Sequence, residues 1–97
     1  MAAQEPSIPV LAARARALQQ TAESLLAAFS QPTMRALVTD AATNLRDAQR
    51  WFDDARLEAS DTCRLWVEAI LTVTARRLDT LDEALRRHGP DATGLSG

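Results

Sequence analysis

The feature that most constrains this chain is a long span without glycine or proline, which runs from Thr33 to His88. These two residues interrupt helices most strongly, so the whole span is free to form helix. Alanine, leucine, glutamine and arginine, which favour helices, are frequent, whereas tyrosine is absent and aromatic residues make up only 4%. The sequence therefore predicts an all-α protein.

Apolar residues recur at spacings of three and four, which places them on one face of a helix. We predict three helices, over residues 8–29, 33–57 and 61–88. Ser7 and Pro9 suit the start of the first helix, and Pro32 suits the first turn of the second. Gly89 followed by Pro90 is a signature for the end of the third. Residues 8–89 would then form one domain, with flexible tails over 1–7 and 90–97.

The join between the second and third helices depends on a turn near Glu58–Asp61. The window from Arg56 to Arg64 is polar, Ser60 or Asp61 would cap a new helix, and the apolar register slips there. A turn predicts an up-down-up three-helix bundle. Its alanine-rich core would be thin, so a second chain could complete it or exchange helices with it. One continuous helix over 33–88 is the alternative.

The predicted hairpin fixes which residues lie at the same height. It places Trp51 opposite Trp66 and Asp40 opposite Arg77. We predict an ion pair between Asp40 and Arg77 that specifies register more than it stabilises. The alternative is that Arg77 contacts another chain, because arginine is enriched at protein interfaces.

Catalytic, metal-binding and cofactor-binding functions find no support in the sequence. The single cysteine and the single histidine, Cys63 and His88, lie at opposite ends of the predicted third helix. At about 1.5 Å per residue they are roughly 37 Å apart, too far for a nucleophile and its base. A net charge of −2 disfavours binding to nucleic acid or to an anionic membrane. A lone cysteine and no signal peptide favour the cytoplasm.

Four large apolar residues do not fit a self-contained bundle and cluster near the predicted turn. They lie beside or opposite the apolar stripes of their helices: Trp51, Leu57, Leu65 and Trp66. Such a cluster predicts a partner-binding patch, because tryptophan is enriched at binding hot spots. We therefore expect a small non-enzymatic protein-interaction module, regulatory or adaptor in role and homodimeric. Two alternatives stay open: the tryptophans cap the core, or they enclose a pocket for a small molecule.

Overall fold

The computed structural model describes residues 7–93, and it is a bundle of helices as predicted. Three long helices pack against one another: α1 (Ile8–Ala28), α2 (Pro32–Arg50) and α4 (Asp61–His88). Between α2 and α4 the chain forms a 3₁₀ turn (Trp51–Asp53) and a short helix, α3 (Ala55–Ala59). The turn predicted at residues 58–61 is present, so the single long helix does not form.

The core follows the predicted apolar stripes. Each long helix contributes side chains of at most a few per cent exposure, including Leu11 and Leu25 from α1, Val38 and Leu45 from α2, and Leu71 and Leu78 from α4. Full burial of a leucine or valine contributes roughly 1.5–3 kcal/mol. Several core positions are alanines, which let the helices approach closely but bury less apolar surface.

The ends of the helices are set by capping residues that can be recognised in the sequence. The backbone N–H of Val10 donates to the Ser7 hydroxyl at 3.4 Å, and that of Cys63 donates to the Ser60 hydroxyl at 3.2 Å. Proline occupies the first turn of both α1 and α2. Helix α4 ends at His88 and is followed by Gly89, whose φ of 75° and ψ of −172° are accessible almost only to glycine.

The prediction of a continuous second helix over 33–57 is wrong. Helix α2 ends at Arg50, and Asp54 adopts extended backbone angles before α3 begins. The Asp54 carboxylate accepts a hydrogen bond from the Arg56 backbone N–H at 2.9 Å and so caps α3. The break redirects the chain and lets Leu57, which would lie off the apolar stripe of a continuous helix, become completely buried.

The segment after α4 contacts the loop between α1 and α2. The Ser30 backbone N–H donates to the Pro90 carbonyl at 2.9 Å, and the Ser30 hydroxyl donates to the Asp91 carboxylate at 2.7 Å. Ala92 is only 3% exposed. The start of the predicted C-terminal tail is therefore packed on the bundle, whereas residues 1–6 and 94–97 of the two predicted tails lie outside the described residues.

Candidate functional site

The structure separates the four residues of the predicted partner-binding patch. Leu57 is completely buried in the core, so its assignment to a surface patch is wrong. The α3 helix carries it inward, and Arg64 of α4 holds this helix by donating hydrogen bonds to the Leu57 and Glu58 carbonyls at 2.8 and 2.7 Å. Leu65 and Trp66 remain exposed, at 54% and 50%, and Trp51 is half-buried.

The two tryptophans meet, as the hairpin geometry predicts. Their ring centroids lie 5.2 Å apart with the planes inclined by 68°, an edge-to-face arrangement. The Arg56 guanidinium lies 5.1 Å from the centre of the Trp51 ring, within the range of a cation–π contact. Trp51 is thus held on two sides, while Trp66 presents half of its surface to solvent.

A shallow pocket opens beside this tryptophan pair, and we refer to it as the tryptophan pocket. Its volume is about 290 Å³, and its lining residues are Trp51, Thr62, Cys63 and Trp66. The lining is almost wholly apolar, and the pocket is open to solvent. It therefore offers few polar groups with which to orient a ligand.

A larger groove runs between α2 and α4, and we refer to it as the α2–α4 groove. It has a volume of about 450 Å³ and is lined by Asn44, Asp47, Trp66, Ala69, Ile70, Val73 and Thr74. Trp66 borders both depressions, so the two lie next to each other. Most of the groove lining comes from α4 and is apolar.

Val73 belongs to this surface but was not among the predicted patch residues. It is 56% exposed, as much as any large apolar residue in the described chain. The signal was available in the sequence, because Trp66, Ala69 and Val73 follow the spacing of three and four that places residues on one helix face. That face adjoins the core stripe of Val67, Leu71 and Leu78. Counting apolar positions along the helix therefore does not separate the exposed face from the buried one.

The predicted ion pair between Asp40 and Arg77 is wrong. Both side chains are exposed, and within residues 7–93 no ion pair joins them. A shared height along the bundle is not sufficient, because both side chains must also point toward the same seam. Arg14, by contrast, donates a hydrogen bond to the Thr72 hydroxyl at 3.5 Å and so links α1 to α4.

The strongest electrostatic perturbation in the described chain lies at the start of α3. The Arg56 side chain and backbone N–H donate hydrogen bonds to Asp54 and lower the pKa of its carboxyl from 3.8 to about 2. The arrangement is exposed and contains no nucleophile or acid–base partner, so its effect is on the helix start.

Residues 7–93 contain no cluster of three or more histidine, cysteine, aspartate or glutamate side chains that could hold a metal ion. None of the helices in the described part of the chain is both long and apolar enough to cross a membrane. Comparisons with family models, curated proteins and solved structures gave no match.

Proposed function

We propose that this protein is a small, non-enzymatic, cytoplasmic helical module that acts by protein–protein association, as a homodimer in a regulatory or adaptor role. The observation that carries the proposal is the exposure of Trp66 and Val73 beside the α2–α4 groove. Contiguous apolar surface of this kind is typical of an interaction site, whereas single exposed apolar residues are not.

The energetics favour covering this surface. Trp66 and Val73 each leave about half of their surface in water. Burying the exposed half of Val73 would contribute roughly 1 kcal/mol, half of the value for full burial of such a side chain, and the larger Trp66 would contribute more. Tryptophan contributes most to such contacts, because it buries a large area with little loss of conformational freedom.

A second candidate function is binding of a small apolar molecule in the tryptophan pocket. Its support is the pocket volume of about 290 Å³ beside two aromatic rings. Ligand sites usually occupy about 300–1,000 Å³ and enclose most of the ligand, and this pocket is open. Ligand binding there would change tryptophan fluorescence without changing the solution mass.

Light scattering across a hundredfold dilution tests the association proposal with a matched pair of variants. Val73→Asp places a charge on the groove, and Val10→Asp places the same charge at an equally exposed valine on α1, since both valines are 56% exposed. We expect wild type and Val10→Asp to dimerise at high concentration, with a mass near twice 10.6 kDa, and Val73→Asp to remain monomeric. A monomeric wild type at every concentration, or equal dimerisation of both variants, would contradict self-association through this surface.

A further inference from the structure

The solvent side of α4 carries a residue pattern that would match the same pattern running in the opposite direction on a second helix. Along one face, at spacings of three and four, lie Thr62, Trp66, Ala69, Val73, Arg76 and Thr80. Read from either end, this face begins with threonine, then has a large planar side chain, and meets small apolar side chains at its centre. The central position is residue 71, halfway between Ala69 and Val73.

We propose that the partner on the α2–α4 groove is a second copy of this chain, with the two α4 helices antiparallel about a two-fold axis level with residue 71. This inference rests on the proposed function and specifies its geometry. A two-fold interface requires that if one residue contacts a second on the other copy, the second contacts the first in return. The axis pairs Thr62 with Thr80, Trp66 with Arg76, and Ala69 with Val73 of the second copy.

Packing at the centre favours this register. Ala69 is small and exposed, so it leaves room for the protruding Val73 of the other copy, and the exchange occurs twice. Two helices that meet through small residues can approach to the lower end of the usual interaxial distance, about 8–10 Å. A shift by one turn would place Val73 against Trp66 in one direction or Ala69 against Arg76 in the other, and either shift would lose the exchange between Ala69 and Val73.

Trp66 and Arg76 complement each other in the same register. Half of the Trp66 surface is exposed. Arg76 is also exposed, and it forms no ion pair among residues 7–93. A guanidinium over an indole face is a favourable cation–π contact, which Arg56 already makes with Trp51 in the same molecule. The second copy would supply the corresponding contact to Trp66.

The distribution of charge selects the antiparallel orientation. Asp47 lies on the α2 side of the groove and lines it together with Trp66. Its carboxylate is 3.9 Å from the guanidinium of Arg50, and both side chains are exposed. The cations Arg76 and Arg77 lie on α4 beyond Val73. Antiparallel pairing brings these cations to the level of Trp66 and so near Asp47 of the other copy. Parallel pairing would instead align the cations of both copies, which repel each other.

The length of the face sets the expected strength of association. From Thr62 to Thr80 the helix spans about 27 Å, so the interface would lie at the small end of specific protein interfaces. We expect a dissociation constant in the micromolar range, so that dilution below that concentration separates the copies.

Cross-linking between two single-cysteine variants tests the register. Thr62→Cys and Thr80→Cys are each made in a Cys63→Ser background, which removes the native thiol, and both threonines are exposed. A short bis-maleimide that spans about 8–10 Å, the spacing of packed helices, is added at a concentration where light scattering shows the dimer. We expect covalent heterodimers in the mixture and none with either variant alone, whose thiols would be roughly 27 Å apart along the helices.

Each other outcome overturns the proposal in a recognisable way. Cross-linking of Thr62→Cys with itself would show a parallel arrangement. A light-scattering dimer without cross-links in the mixture would show that the copies associate through another register or surface, so the register fails and self-association survives. A monomer at every concentration would contradict both the proposed register and self-association itself. Circular dichroism of each variant confirms that the helices are intact.

Discussion

The burial of Leu57 leads to a prediction that distinguishes the observed fold from a continuous second helix. Leu57 is completely buried although α3 has only five residues, so Leu57→Ala should leave a cavity beneath α3. Buried leucine-to-alanine changes cost about 2–5 kcal/mol, and we expect about 3 kcal/mol because a short helix can partly collapse onto the gap. A domain of this size has a free energy of unfolding of only about 5–15 kcal/mol, so the loss is a large fraction of the total.

Urea unfolding followed by circular dichroism measures this loss. With a slope of about 1–3 kcal/mol per molar urea, the midpoint should fall by about 1–3 M. Leu65→Ala is the matched control, because Leu65 is 54% exposed and its truncation should cost about 0.5 kcal/mol or less. Both variants are compared at one low protein concentration, since dimerisation would raise apparent stability. Equal losses for the two variants would refute the placement of Leu57 in the core.

Two further predictions concern the ends of helices. The pKa of Asp54 is lowered from 3.8 to about 2, so its carboxylate stabilises the folded state fully above about pH 4 and loses that effect as the pH falls toward 2. The difference in unfolding free energy between wild type and Asp54→Asn should therefore shrink between about pH 5 and pH 2, and a pH-independent difference would contradict the assignment. Gly89→Ala should cost about 1–3 kcal/mol in thermal or urea unfolding, because a φ of 75° strains any other residue although its Cβ would meet no atom within 4 Å. A loss no greater than that of the exposed Arg87→Ala would show that the backbone there relaxes freely.

Much of the fold could be predicted because it follows from local rules. Ser7 and Ser60 cap helices, Pro32 opens one, and Gly89 with Pro90 closes another, and each of these depends on a few neighbouring residues. The apolar spacing likewise predicts the core faces, because helix geometry alone fixes them.

The break after Arg50 could not be predicted in the same way. Residues 50–58 contain no glycine or proline, and the break depends on contacts made elsewhere: Leu57 enters the core, and Arg64 of α4 binds the carbonyls at the end of α3. The wrong assignment of Leu57 to a surface patch has the same cause, since a continuous helix would have placed its side chain outside the core.

The candidate surface was predicted in part, for a geometric reason. Heights along the hairpin correctly brought Trp51 to Trp66, but they also paired Asp40 with Arg77, whose side chains do not meet. The pairing of Asp40 with Arg77 used height alone, whereas rotation about the helix axis decides whether two side chains point toward the same seam. Val73 lies on the face next to the core stripe, and its exposure depends on how far α2 covers that face.

The most direct test of the central claim, that a second copy covers Trp66, is the quenching of Trp66 fluorescence by acrylamide in a Trp51→Phe variant. The measurement is made at two protein concentrations a hundredfold apart, on either side of the dimer dissociation constant found by light scattering. Trp66 is 50% exposed in the single chain, so we predict strong quenching in the dilute sample and markedly weaker quenching in the concentrated one. Equally strong quenching in both samples, with light scattering reporting a dimer in the concentrated one, would show that the copies associate elsewhere and that Trp66 is not at the interface.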